Sequence, residues 1–143
     1  MSNNDGFDLT AFLPYLLNQA AEESSLAFTQ LYKNKYGMLR TEWRVLFHLG
    51  LYGRLTASDI GQRARMHKTK ISRAVAKLAA RRFLTRVKDG DDRRVEWLEL
   101  TPAGQAAYRE LRGVAMEYDA QLARAFSPEE MAVVKRVLRS LAE

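Results

Sequence analysis

The chain of 143 residues has no cysteine, which excludes disulfides, thiol catalysis, cysteine zinc sites and thiol redox sensing together. Histidine is nearly as scarce, with only His48 and His67, and no carboxylate stands beside either at metal-ligand spacing, so neither a metal nor a cofactor is expected. No apolar run reaches the roughly 18 residues of a membrane span. The opening residues MSNNDGFDLTAF lack the basic and apolar regions of a signal peptide, so a cytoplasmic protein without membrane contact is expected. There is no nucleophile elbow and no phosphate-binding glycine loop. The neighbouring carboxylates Glu22-Glu23, Asp91-Asp92 and Glu129-Glu130 have structural explanations as surface, wing and cap residues, so catalysis is not expected either.

What the chain does have is basic charge in one place. Residues 63 to 94 hold twelve Lys and Arg against Asp89, Asp91 and Asp92, a balance of +9, whereas the whole chain carries +6 and the remainder therefore −3. Local basicity of this kind suits a polyanion-binding surface.

Helical spacing of Leu9, Phe12, Leu13, Leu16, Leu17, Ala20, Ala27, Phe28 and Leu31 predicts a long amphipathic helix over 9–31, with Pro14 in its first turn or kinking its start and Gly37 as its stop. Thr41 is expected to cap the next helix, whose apolar positions Trp43, Val45, Leu46 and Leu49 run toward Gly50 and Gly53. Thr56 and Asp59 form a capping-box pattern that opens a short helix to about Ala64. After a tight link at Arg65-Met66, a second short helix is predicted from Lys68 to Arg81, with Ile71, Val75 and Leu78 on one face. Two short helices joined by a turn are the helix-turn-helix pattern. The period then changes, and Leu84 to Lys88 and Arg94 to Leu100 read as two strands around an Asp- and Gly-rich tip. Thr101-Pro102 starts another helix carrying Leu111, Val114, Tyr118, Leu122 and Phe126, and Ser127-Pro128-Glu129-Glu130 starts the last, bearing Met131, Val134, Leu138 and Leu141. The fold class is therefore mainly α with a small β-wing. The terminal stripes exceed what one small lobe can cover, which points to a second copy of the chain, with an intramolecular bundle as the alternative.

TEWRVLFHLG, LTASDIGQRARMHKTKISRAVAKLAARRFL, DDRRVEWLELTPAG and SPEE together resemble the MarR family of bacterial transcription regulators over nearly the whole chain. The resemblance implies a single domain over 1–143: a winged helix-turn-helix lobe at about 38–100, and N- and C-terminal dimerisation helices at about 9–36 and 101–143. It also implies a homodimer on double-stranded DNA, usually a repressor released by a small, often aromatic or phenolic, effector. Its recognition helix falls on Lys68 to Arg81 and its Asp-x-Arg wing motif on Asp92-Arg93-Arg94. Two positions depart from the pattern: His67 stands where an acidic cap is common, and Arg82 where a glycine usually ends the helix.

On the recognition helix, Lys70 and Arg73 have donors long enough for guanine O6 and N7, and Thr69 can meet a thymine methyl or a phosphate. Lys68, Ser72 and Lys77 suit phosphates. Arg94 suits a narrow minor groove, with Arg93 beside it on the wing and Asp92 orienting the guanidinium. The plainer alternative is a solvated basic face with a loose surface ion pair. Tyr15, Tyr36, Trp43 and His48, with Trp97, are the large rings that can line a ligand cavity, although most rings on a helix face are packing and a single His is commonly just hydrogen-bonded. Two other functions fit the same charge: an architectural protein coating DNA without sequence preference or effector, and a winged-helix adaptor for an acidic protein.

Overall fold

A computed structural model describes residues 6–143, so the first five residues of the opening stretch lie outside the described part. The chain divides into one compact unit ending at Arg40 and another beginning at Thr41.

In the first unit a single 3-10 turn, Leu9–Ala11, precedes α1, Leu13–Tyr36. The expected helix over 9–31 is thus broken near its start and extended at its end. The cause of the break is local: Phe12 is extended, Pro14 sits in the first turn where its missing N–H costs nothing, and the helix begins afresh there. Gly37, at φ 64°, ends α1 in the left-handed conformation, its N–H donating to the Lys33 carbonyl. Tyr32 is buried, its hydroxyl 3.0 Å from that of Thr29 and its ring edge-on to Phe28. Phe12, Leu13, Leu16, Leu26 and Leu31 remain exposed.

The second unit contains most of the core. Helix α2, Arg40–Tyr52, starts one residue before the expected cap, so Thr41 lies inside the first turn, where a helical backbone prevents it from capping. Gly50 lies within α2, where a Cβ would overlap the Tyr108 ring of a later helix. Strand β1, Leu55–Thr56, is a two-residue addition that the sequence pattern concealed. Helix α3, Ala57–Ala64, opens with the expected box, Asp59 N–H to Thr56 Oγ1 at 3.1 Å and Thr56 N–H to Asp59 Oδ2 at 3.1 Å. Helix α4 spans Lys68–Ala80.

Strands β2, Leu84–Lys88, and β3, Glu96–Leu100, pair antiparallel, with Val87 opposite Trp97. β3 is central, since β1 pairs on its other side with Thr56 opposite Trp97. Arg94 and Val95, expected in the strand, stay in the turn because their N–H groups donate to Asp92, to its carboxylate and its carbonyl. Helix α5, Pro102–Ala123, is capped by Thr101 and α6, Pro128–Leu141, by the Ser127–Glu130 box. Val45, Leu46, Leu49, Ile60, Ile71, Leu78, Leu98 and Leu111 are almost wholly buried. On α6 no residue is buried, and Val134, Leu138 and Leu141 stay exposed. Two short helices, a three-stranded antiparallel sheet and flanking helices make this a winged helix-turn-helix fold. Among the described residues no helix is long and apolar enough to cross a membrane.

Candidate nucleic-acid interface

The turn between α3 and α4 is built on Arg65, whose φ of 53° is left-handed. Met66 N–H closes the turn on the Gly61 carbonyl at 3.1 Å, and the Arg65 guanidinium donates to the Ala142 carbonyl. His67 then serves as N-cap of α4, its Nδ1 accepting from Thr69 N–H at 3.4 Å. Imidazole thus replaces the acidic cap, and leaves the positive end of the helix dipole without a fixed carboxylate.

Ile71, Ala74, Val75 and Leu78 form the buried stripe of α4. Lys68, Thr69, Lys70, Ser72, Arg73 and Lys77 are all exposed. At about 100° per residue, Thr69 and Arg73 lie near the line opposite that stripe, while Ser72 and then Lys68 turn toward one flank and Lys77 and Lys70 toward the other. Arg73 thus stands at the middle of the exposed face, and Lys70, read from sequence as its partner in base contact, lies toward the edge. At the far end Arg82 takes the left-handed position, φ 63°. Arg82 N–H donates to the Ala79 carbonyl and Phe83 N–H to the Leu78 carbonyl, both at 2.9 Å, the pattern that glycine usually completes. The Thr101 hydroxyl donates to the Arg82 carbonyl at 2.6 Å and secures it.

On the wing, Arg94 and Asp92 meet as expected. Asp92 Oδ1 accepts from Arg94 N–H at 3.0 Å and from Nε at 3.1 Å, and Oδ2 from Nη2 at 3.2 Å. The guanidinium holds the Asp92 carboxyl below its ordinary value, with the Arg94 backbone N–H adding to the effect. Arg94 itself is 91 % exposed, so the pair is available to a partner. Arg93 is exposed beside it. Arg86 and Lys88, counted within the basic stretch, both pair with Glu96 at 3.7 and 3.8 Å, which removes part of their charge from the outward field.

Three residues at and beside the wing, Asp89, Trp97 and Arg54, meet in a way that the sequence reading did not connect. Asp89 accepts from the Trp97 indole Nε1 at 3.1 Å with Oδ1, and from the N–H groups of Asp91 and Asp92 at 3.3 and 3.0 Å with Oδ2. The indole bond is the main cause of its lowered pKa, followed by the Asp92 N–H. Arg54 lies 4.6 Å over the Trp97 ring and pairs with Glu99 at 3.5 Å. Trp97, named from sequence among the rings that can line a ligand cavity, lies on the central strand of the sheet with its indole bonded to Asp89. An Asp in the tip and a Trp in the returning strand were the available signal.

The other ring residues are in mixed surroundings. Tyr15 and Tyr36 are half-buried on α1. On α2, Trp43 packs edge-on against Phe47, which packs edge-on against Tyr108, with centroids 4.9 and 5.3 Å apart. His48 Nδ1 donates to the Arg44 carbonyl at 2.6 Å within its own helix. A cavity of about 410 Å³ between α3 and α4 is lined by other residues, among them Ser58, Gln62, Met66 and Ile71. No cluster able to hold a metal ion occurs among the described residues.

No curated protein matches the chain. Among solved structures, the MarR family transcriptional regulator SPO1453 from Silicibacter pomeroyi DSS-3 is similar at 29 % identity, over 95 % of this chain and 96 % of that one, with a TM-score of 0.81. A mutant MarR from E. coli, complexed with operator DNA, shares the fold at 15 % identity, 92 % and 94 % coverage and a TM-score of 0.82. PcaV from Streptomyces coelicolor, a transcriptional regulator in complex with its natural ligand, does so at 22 % identity, 99 % and 97 % coverage and a TM-score of 0.82. Residues 36–95, which include α4 and the Asp92–Arg94 turn, match the model of the MarR family. By that match and by the similarity of nearly its whole length to a solved MarR family regulator, the chain resembles the MarR family in its fold and in the segment that carries α4 and the wing.

Proposed function

We propose that the chain is a transcriptional repressor that binds a palindromic operator as a homodimer, reads the major groove with α4 and the minor groove with Arg94, and is released by a small aromatic or phenolic effector. The observation that carries this reading is the outer face of α4, with Thr69 and Arg73 at its middle and lysines on both flanks, followed by a wing whose arginine is already held by a carboxylate. A central arginine flanked by lysines is the arrangement that divides base reading from phosphate positioning. The operator complex of E. coli MarR and the ligand complex of PcaV support the partners by likeness of fold. The exposed Leu13, Leu16, Val134, Leu138 and Leu141 support a second copy of the chain, since apolar helix faces of this extent are normally covered. A two-fold dimer sets two recognition helices about 34 Å apart, matching one turn of duplex. The effector acts only through its different affinity for two spacings of the lobes.

The test is to select bound duplexes from a random pool and titrate the selected site against salt. A palindrome is expected, with log affinity falling against log salt at a slope of roughly −5 or steeper for the dimer, at about −0.9 per phosphate neutralised. Tight binding without any preferred sequence would favour an architectural protein. Absence of duplex binding at low salt would favour the protein adaptor.

A further inference from the structure

Arg94 poses a problem that the Asp92 carboxylate alone does not solve. An ion pair whose arginine is 91 % exposed competes with water and salt, and such pairs hold a side chain only weakly. For Asp92 to aim the guanidinium, Asp92 must itself be fixed, and it stands in a turn rich in Asp and Gly.

We propose that Trp97 is the positioning residue for Arg94, acting through Asp89 and Asp92. Trp97 occupies the central strand of the sheet, paired with Thr56 on one side and Val87 on the other, so its backbone is held on both edges. Its indole N–H donates to Asp89 Oδ1, and the other oxygen of that carboxylate holds the Asp92 N–H at 3.0 Å and the Asp91 N–H at 3.3 Å. Asp92 then grips Arg94 through Nε, Nη2 and the backbone N–H. The relay carries the rigidity of a paired strand to the wing tip through bonds that each involve a carboxylate, the stronger class of hydrogen bond. Arg54 stacks on the outer side of the indole and pairs with Glu99, which keeps the ring in place. The value of the relay to DNA recognition rests on the reading of Arg94 given above; the relay itself can be tested in the free protein.

Two variants serve. Trp97→Phe keeps a ring and removes the N–H, and Asp89→Asn keeps the volume but offers one acceptor oxygen where two are used. In the free protein, 15N relaxation of the Arg94 Nε–H should show the loss of its order in both variants, with the thermal midpoint of the lobe little changed. On a selected duplex, Trp97→Phe should weaken binding roughly 2- to 10-fold, the size of one hydrogen bond. In an Arg94→Ala background the same change should have no further effect. Unchanged Arg94 order in both variants overturns the proposal. So does an equal loss of affinity in the presence and absence of Arg94, which would assign Trp97 to general stability of the wing. If the wild-type chain bound no duplex, the DNA-binding reading would fall, and the Arg94 relaxation measurement would still decide whether Trp97 positions it.

Discussion

Helix α4 and the wing both present cations to solvent, and they orient them by opposite means. Helix α4 buries Ile71, Ala74, Val75 and Leu78, so the direction of Arg73 follows from apolar packing on the far side of the helix. The wing has little of this: β2 buries only Leu84 and β3 only Leu98. Its arginine is aimed by a sequence of carboxylates, backbone N–H groups and one indole. Packing is indifferent to pH and salt, whereas a polar relay depends on charge state. One half of the interface should therefore be robust, and the other adjustable.

The strongest way to break this contrast is to remove packing from the helix. Leu78 is fully buried, and Leu78→Ala should cost about 2–5 kcal/mol of stability, read by chemical denaturation, because the cavity left cannot close completely. Base preference would be lost along with the fold. A cost below 1 kcal/mol would show that α4 is held by something other than its buried stripe.

Next in size is the direct comparison of the two arginines. Arg73→Ala should cost about 1–3 kcal/mol on the selected site and relax preference at one base pair per half-site, with stability unchanged. Arg94→Ala should weaken binding chiefly on sites with A·T-rich flanks, where a narrow minor groove attracts a guanidinium. Titration of each variant against duplexes altered at centre or flank separates the two. Equal losses on A·T-rich and G·C-rich flanks would reduce Arg94 to a phosphate contact and leave Asp92 without its orienting role.

The wing's dependence on charge gives a pH test of smaller size. Asp89 is held low first by the Trp97 indole, and Asp92 first by the Arg94 guanidinium. A carboxylate whose folded pKa lies below its unfolded one contributes fully above the unfolded value and loses that contribution as pH falls through the folded value. The order of Arg94 should therefore persist through neutral and mildly acidic pH and disappear only below the ordinary aspartate range of about 3.9. Carboxyl-carbon NMR titration should give midpoints for both residues under that range, and Trp97→Phe should raise the midpoint of Asp89. Titration at ordinary values would mean that the relay is not populated in solution.

How far each half could be read in advance follows from the same contrast. The caps at Thr56, Thr101 and Ser127 were legible because a cap is decided within four residues, and the buried face of α4 because periodicity reports it. Asp92 with Arg94 was legible through family resemblance. Trp97 with Asp89 was not, because the partners lie eight residues apart across a hairpin and their meeting depends on register, which one tryptophan in a strand does not announce. β1 was hidden for a related reason: two residues carry no period, and Thr56 had a sufficient explanation as a cap. Arg94 was placed in a strand because alternation continued through it, while the turn formed by Asp92 held it outside.

The smallest expected effect concerns the junction of the two halves, where α4 hands over to β2. Arg82 sits there at φ 63°, a conformation that costs an L-residue roughly 1–2 kcal/mol, and the motif it completes is the one glycine normally serves. The fold tolerates it because three hydrogen bonds meet at the junction: Arg82 and Phe83 N–H close the helix end, and the Thr101 hydroxyl clamps the Arg82 carbonyl. Arg82→Gly would relieve the conformational cost but loosen the unfolded chain, which returns about 0.4–1 kcal/mol of it. The net gain should be roughly 0.5–1 kcal/mol, or about 2 °C in thermal midpoint for a chain of this length. Thr101→Val should lower stability more in the Arg82 protein than in the glycine variant, since only the strained residue needs the clamp. A glycine variant no more stable than the parent would mean that the Arg82 side chain contributes enough at this surface to offset its backbone, placing a further cation in service between helix and wing.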